Sequence, residues 1–123
     1  MCAMTEEQQE LLQEAGMDLT TALGRTLGSE ELLIRFLLGF VEDSGYAQLQ
    51  EALRAWDAPA ALAAATDLRE RSESLAMGEL SARTARVEEL LEGEDLTAAA
   101  AEFPHVAREH RRVVLAICQC YFE

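Results

Sequence analysis

The sequence predicts an all-α fold, an up-down four-helix bundle preceded by extra short helices at the N-terminus. Alanine and leucine dominate a chain with only two prolines and seven glycines, a composition that favours helices. Apolar residues recur every three to four positions along several segments, as the buried face of a helix requires. No alternating apolar and polar run predicts a strand. At 123 residues, the chain suits a single domain over residues 1–123.

Two short helices are predicted first. Thr5 is a capping hydroxyl followed by two acids, so it begins a helix, and Gly16 ends that helix. A second helix covers about residues 19–26 and stops at Gly28.

The third predicted helix has the strongest periodicity, and Ser29 caps it. Its apolar stripe consists of Leu32, Leu33, Phe36, Leu37 and Phe40. Gly45 lowers the helix propensity but does not forbid continuation. We therefore expect this helix to run past Ser44 and Gly45 to Trp56.

Three more helices complete the bundle. Asp57 caps the fourth, which runs to about Met77, and Asp95 starts the sixth; the fifth covers about residues 79–91. Pro104 lies inside the sixth pattern and predicts a kink or break there. Short linkers favour antiparallel neighbours, hence the up-down arrangement. The predicted core includes Leu33, Phe36, Leu37, Phe40, Leu53, Leu68, Leu75, Leu90 and Phe103.

The charge balance excludes some partners. The chain has 23 acids against 10 bases, a formal net charge of -13, and all of the bases are arginine. Nucleic acid needs a basic face, and so does an anionic membrane surface, so we expect neither as a partner. No apolar run approaches the ~20 residues of a membrane span.

The cysteines indicate a reducing compartment. Cys2, Cys118 and Cys120 are odd in number and do not form a disulfide framework. The first residues have neither the basic nor the apolar region of a secretory signal. We expect free thiols and a cytoplasmic protein.

The main candidate for a functional site is the segment Ala65-Thr66-Asp67-Leu68-Arg69-Glu70. It resembles the active segment of bacterial histidine-phosphotransfer (HPt) domains, which has the form Ala-His-x-Leu-Lys-Gly. The segments at 16–19, 27–32 and 40–43 are similar to the entry segments of that family, and 96–117 is similar to its closing helix. The resemblance implies an HPt-type four-helix bundle.

The resemblance also implies a lost activity, because Thr66 occupies the position of the phosphoaccepting histidine. A threonine hydroxyl is a poor nucleophile without an activating base or metal, and a phosphothreonine ester is too stable for reversible relay. Arg69 retains the cation of the family's lysine, whereas Glu70 replaces its glycine and adds bulk and negative charge. With about 100° per residue, Thr66, Glu70 and Glu73 should face solvent and Arg69 should flank them.

The histidines offer two other possible sites. Glu102 and His105 have the spacing of a di-iron bundle motif, and His105 and Glu109 lie one turn apart, but the motif occurs only once. His110, beside Arg111 and Arg112, is a possible displaced phosphoacceptor. For both histidines the ordinary interpretation is a surface residue, and we predict no metal and no cofactor.

Three functional hypotheses follow. The first is a degenerate HPt-like protein that binds a response-regulator receiver domain or a histidine kinase through the face of Thr66, Arg69, Glu70 and Glu73 without relaying phosphate. The second is a helical interaction bundle unrelated to phosphorelay. The third, an enzyme or metal protein using Glu102, His105 and Glu109, has the least support, so we expect no enzymatic activity. The sequence does not specify the partner or the oligomeric state.

Overall fold

A computed structural model describes residues 4–121, and every regular element within them is an α-helix. The helices are α1 (Glu6–Glu14), α2 (Leu19–Arg25), α3 (Glu30–Glu42), α4 (Gly45–Arg54), α5 (Ala58–Ser74), α6 (Gly78–Glu92) and α7 (Leu96–Tyr121). The all-α prediction is therefore confirmed. The one β-type backbone pairing among these residues is an isolated antiparallel bridge between Met17 and Met77.

Four consecutive helices enclose the main core. Helix α5 packs against α4 on one side and α6 on the other, α6 packs against α7, and α7 contacts α4. Because the connections between them are short, successive helices reverse direction. The largest buried side chains of this core include Leu49, Leu68, Leu80, Val87 and Ile117.

The three N-terminal helices cover one side and one end of this group. Helices α1 and α3 both pack against α7, and α2 joins them. The backbone N–H of Asp18 donates to the carbonyl of Ala76 at 2.9 Å, which ties the α1–α2 turn to the α5–α6 turn. At the other end of α1, the Gln8 amide donates to the carbonyl of Cys120 at 3.1 Å. Both ends of α1 are thus attached to the larger group.

Polar side chains cap five of the helices within residues 4–121, and all of these caps except Asp18 were predicted from the sequence. Each accepts a backbone N–H that the first helical turn leaves without a partner. The capping residues are Thr5, Asp18, Ser29, Asp57 and Asp95. Thr5 forms a complete capping box with Gln8.

The predicted continuation of the third helix to Trp56 is wrong. Helix α3 ends at Glu42, where Asp43 takes an extended conformation and its Oδ2 accepts the backbone N–H of Gly45 at 3.0 Å. This local bond replaces a helical one, a competition for which aspartate is well suited. Gly45 is buried at the start of α4, and a Cβ there would lie 2.8 Å from Asp43 Oδ2.

Pro104 does not break α7, contrary to one of the two predicted outcomes. The helix runs as one element from Leu96 to Tyr121. Pro104 is exposed, so the carbonyl that loses its hydrogen-bond donor lies on the solvent side. Water can satisfy that carbonyl, which reduces the penalty for proline at this position.

Most of the predicted core is buried, with three exceptions. Leu33, Leu37, Phe40, Leu53, Leu68 and Leu75 are buried, whereas Leu90 and Phe103 are partly buried. Phe36 is 48% exposed, although it belongs to the most regular apolar stripe of the sequence. The reason is that α3 packs on α7 and α2 but stands away from α5, and Phe36 lines the space that remains.

Five helices end in the same backbone motif, in which a residue with positive φ follows the last turn and two backbone N–H groups bond back to it. Only α1 has glycine, Gly16, at this position. The others are Leu27, Trp56, Ala76 and Glu94, with φ between 55° and 60°. A side chain makes this conformation unfavourable, so four of the turns are strained.

This strain predicts that glycine substitutions at two nearby glutamates have opposite effects on stability. Glu94→Gly should raise the free energy of unfolding by about 0.5–1 kcal/mol, because glycine adopts positive φ without a Cβ clash. Glu92→Gly should lower it by about 0.5 kcal/mol, because Glu92 is the last residue of α6. Urea denaturation followed by circular dichroism measures both. Equal signs for the two variants would contradict the assignment of strain to Glu94.

Candidate functional site

Helix α5 carries all four residues of the predicted docking face. Its buried side consists mainly of small residues, Ala61, Ala64, Ala65 and Ser72, with Leu68. Small side chains allow the neighbouring helices to approach closely, and the Ser72 hydroxyl is satisfied by the carbonyl of Leu68 at 2.8 Å. The register of this buried side determines where the docking face points.

Thr66 is only partly exposed, which corrects the expectation that it faces solvent. Its hydroxyl donates to Glu88 Oε2 on α6 at 2.6 Å. The side chain of Glu88 is 13% exposed and lies over the Thr66 side of α5. The angular positions along α5 place Thr66 outside the apolar stripe, but they do not reveal that a side chain of α6 covers it.

Arg69 binds the same carboxylate. Its Nε donates to Glu88 Oε1 at 2.5 Å, and its Nη2 lies 3.4 Å from Glu88 Oε2. A third donor, Nη1, reaches Glu73 Oε1 at 3.0 Å. Arg69 therefore joins Thr66, Glu88 and Glu73 into one hydrogen-bonded group, which we call the Glu88 network.

Charge pairing determines the protonation of this network. Burial acts to raise the pKa of Glu88, but the hydrogen bonds from Arg69 and Thr66, together with the charge of Arg69, outweigh it and lower the pKa. The hydrogen bond to Glu88 raises the pKa of Arg69. Both groups are thus charged near neutral pH.

The geometry gives Thr66 no activation as a nucleophile. A general base must accept the hydroxyl proton, and a carboxylate whose pKa is lowered below its usual value is a weak acceptor. Glu88 also holds two guanidinium hydrogen bonds, so proton transfer to it would weaken the ion pair with Arg69. The network is a structural link between α5 and α6.

Glu70 lies outside the Glu88 network. Its side chain is exposed and forms no hydrogen bond or ion pair with another described residue, and its backbone carbonyl accepts the Ser74 hydroxyl at 2.9 Å. The structure thus brings together Thr66, Arg69 and Glu73 and leaves Glu70 free on the adjoining surface.

Glu88 was not among the site residues predicted from the sequence. In α6 the buried residues are Leu80, Thr84, Val87 and Leu91, and Glu88 directly follows one of them. A carboxylate at the border of an apolar stripe needs a cation or a hydroxyl from the next helix. That pattern was visible in the sequence, and Arg69 at the flank of α5 is the matching cation.

The residues of the metal hypothesis are not assembled into a site. Glu109 is buried and pairs with Arg112 at 2.7 Å and Arg108 at 3.4 Å, while His105 Nδ1 lies 3.3 Å from Arg108 Nη2. The second guanidinium nitrogen of Arg112 donates to the carbonyl of Glu14 at 2.6 Å. Arg112, held in place by Glu109, thus anchors α1 to α7. Within residues 4–121, no group of three or more His, Cys, Asp or Glu side chains is arranged for a metal.

His110 lies in an aromatic cluster, so the expectation of a surface histidine is wrong for this residue. Its ring is parallel to Tyr46, with centroids 4.0 Å apart and planes at 5°, and lies 5.8 Å from Phe40. Phe103 stacks on Tyr46 at 5.4 Å. Burial lowers the pKa of His110 to about 4, opposed weakly by the charge of Asp43.

The sequence predicted free thiols and no membrane-spanning segment. Cys118 and Cys120 are free thiols, and burial raises the pKa of Cys120, while Cys2 lies outside the described residues. No helix in residues 4–121 is both long enough and apolar enough to cross a membrane.

Comparison with known proteins adds no assignment. No family model, no curated protein and no solved structure matches this chain. The function is therefore inferred from the residues and contacts described above.

Removing the charge of Glu88 should destabilise the protein more than removing the charge of an exposed glutamate on the same helix. Glu88→Gln should lower the free energy of unfolding by about 1–2 kcal/mol at pH 7, discounted for the remaining solvent contact of the pair. Glu89→Gln is the control, since its pair with Arg86 is exposed, and it should change the value by less than about 0.5 kcal/mol. Denaturation followed by circular dichroism measures both.

The pH dependence of the same pair of variants tests the charge. The folded-state pKa of Glu88 lies below its usual 4.5, so its contribution is complete above pH 4.5 and is lost as the pH falls through the lowered value. The difference between wild type and Glu88→Gln should shrink over that range. A difference that is constant from pH 7 to pH 3 would contradict the ion pair.

His110 predicts destabilisation in mild acid. Its folded-state pKa of about 4 lies below the usual 6.5, so stability is greatest above pH 6.5 and falls as the pH drops towards 4. His110→Phe should keep the stacking and remove this loss, which we put at about 1–2 kcal/mol because the ring is partly exposed. Urea denaturation from pH 7 to pH 4 compares the two proteins. Parallel curves would show that His110 is not the titrating group.

Proposed function

We propose that this protein is a non-relaying HPt-like partner of a response-regulator receiver domain or a histidine kinase. The observation that supports it most is the place of Thr66, midway along α5 in a group of four antiparallel helices, with Arg69 one turn further on. These are the positions at which the resemblance places the histidine and the lysine of an HPt domain. The up-down bundle of HPt type is part of this proposal.

The contacts of Thr66 support the absence of phosphate relay. Its hydroxyl is held by the carboxylate of Glu88 at 2.6 Å, where an incoming phosphoryl group would meet negative charge. No group activates the hydroxyl, and no histidine is nearby on α5. We therefore expect no enzymatic step and no cofactor, and the proposed activity is binding alone.

Glu70 controls docking in this proposal. A receiver domain presents an acidic pocket around its phosphorylatable aspartate, and an exposed carboxylate on the opposing helix repels it. Glu73 is half-exposed but shares its charge with Arg69 at 3.0 Å. Glu70 is therefore the main electrostatic obstacle to receiver binding.

A second candidate is a helical interaction bundle unrelated to phosphorelay. One observation favours it: Thr66, Arg69 and Glu73 satisfy one another through Glu88. Side chains that are paired within the protein contribute less to binding a partner, because their internal bonds must first be broken. In this second candidate, the hydrogen bonds of Thr66, Arg69 and Glu73 have a purely structural role.

Titration with receiver domains tests the proposal. Each receiver encoded in the same genome is titrated by calorimetry, with and without beryllium fluoride as a phosphoryl mimic, against wild type and Glu70→Gly. We expect Glu70→Gly to bind at least about tenfold more tightly than wild type to one receiver, because repulsion and bulk are removed. Glu51→Gly is the control, since Glu51 is exposed within α4 and the change carries the same loss of helix propensity.

The outcomes separate the candidates. Micromolar binding to one receiver supports a pseudo-phosphotransfer regulator, and binding only by Glu70→Gly supports a blocked docking face. No binding by either protein favours the unrelated interaction bundle. Phosphohistidine on the protein after incubation with a phosphorylated receiver would refute the non-relaying proposal.

A further inference from the structure

An open groove of about 850 Å³ lies between α3 and the C-terminal half of α5. It exists because α3 packs on α7 and α2, so α3 and α5 are separated along much of their length. Phe36 and Gly39 line its α3 wall, and Arg25 lies at the end formed by α2. We call this feature the α3–α5 groove.

The α3 wall of the groove is apolar. Phe36 is 48% exposed there, and the buried residues Phe40 and Leu75 form deeper parts of the lining. Gly39 adds no side chain to this wall. The space beside it is open, since a Cβ at this position would meet no atom within 4 Å. An exposed phenylalanine beside a helical glycine provides an apolar surface that a partner's side chain can cover.

Three arginines line the groove beside this apolar surface, although the protein is strongly acidic. Arg25, Arg35 and Arg71 line the groove, three of the ten bases in a chain with net charge -13. Arg25 donates to the backbone carbonyl of Glu73 and forms no ion pair with any of residues 4–121. Arg35 lies 3.6 Å from Glu31, with both side chains well exposed, so this pair is weak and easily exchanged.

The charges differ between the two sides of the groove. Glu70 and Glu73 line the α5 wall, and Arg71 is already held by Asp67 at 3.0 Å. The available cations are therefore Arg25 and Arg35, on the α2–α3 side. A ligand with carboxylates towards that side and an apolar side chain over Phe36 complements the groove, whereas a basic ligand meets Arg25 and Arg35.

We propose that the α3–α5 groove binds an acidic segment of a partner protein, with one apolar side chain placed against Phe36 and Gly39. The carboxylates on either side of that residue pair with Arg25 and Arg35. The groove shares Glu70 and Glu73 with the predicted docking face, but neither Thr66 nor Arg69 lines it, and its proposed ligand is an acidic segment that contacts the α2–α3 side. Aromatic and arginine side chains are the residues that most often dominate such interfaces.

Three pools of fluorescein-labelled nine-residue peptides test the proposal by fluorescence anisotropy. Each pool has a varied apolar residue at its centre, flanked by Asp and Glu, by Ser and Gln, or by Lys and Arg. The acidic pool should bind wild type most tightly, and Phe36→Ala and Arg35→Glu should each weaken it by about tenfold or more. Raising the salt concentration should weaken it further.

Two matched controls separate binding from general effects. Arg86→Glu changes the net charge by the same amount as Arg35→Glu, in another exposed surface pair that lies outside the groove, and should leave binding unchanged. Gly39→Leu fills the groove while it improves the helix propensity of α3, so it should abolish binding without loss of stability. Gly78→Leu adds the same side chain at an open position that does not line the groove.

Several outcomes would overturn the proposal. The proposal is wrong if the acidic pool does not bind, or if it binds no more tightly than the Ser and Gln pool, because the arginines would then contribute nothing to recognition. Binding that survives Gly39→Leu places the peptide elsewhere. Self-association of wild type that disappears in Gly39→Leu, measured by light scattering, would make a second copy of this chain the occupant instead.

Discussion

The close packing of α5 between α4 and α6 is the constraint on which the candidate site depends. The buried side of α5 consists of Ala61, Ala64, Ala65, Leu68 and Ser72, so the backbones of its neighbours can come near. The one buried hydroxyl on this side, that of Ser72, is satisfied by its own helix and needs no partner across the interface. Short side chains therefore determine the distance between helices, and that distance allows a glutamate of α6 to reach Thr66.

Once α6 is this close, the position expected for a phosphoacceptor becomes part of the protein's internal structure. The Glu88 carboxylate is nearly covered and needs charged donors, which Arg69 supplies and Thr66 supplements. Each of these groups is stabilised by the others, so replacing one leaves its partners unsatisfied. A phosphotransfer histidine has the opposite requirement, since its ring nitrogen must remain available to a second protein. The Glu88 network is thus better suited to joining helices than to phosphoryl transfer.

Local signals in the sequence predicted the helices and their starts, because caps act over three or four residues. Thr5, Asp18, Ser29, Asp57 and Asp95 all cap helices, although Asp18 was not singled out beforehand. Features that depend on packing were less predictable. The periodicity that placed Phe36 in the core is genuine, but it cannot specify whether a partner helix covers the stripe. Neighbouring helices likewise determine the cover over Thr66 and the partial burial of His110. The end of α3 depends instead on the local bond between Asp43 and Gly45, which apolar periodicity does not reveal.

The distribution of charge distinguishes the two faces of α5 and its surroundings. On the Glu88 side, the guanidinium of Arg69 is already bound by two carboxylates, so this cation adds little attraction for an acidic partner. On the groove side, Arg25 and Arg35 have at most a weak exposed pair, and they flank an uncovered phenylalanine. In a protein of net charge -13, the general field repels acidic ligands at a distance, so local cations must supply their recognition at short range. The groove has such cations beside an apolar surface, and for this reason it is a stronger basis for partner binding than the Thr66 position.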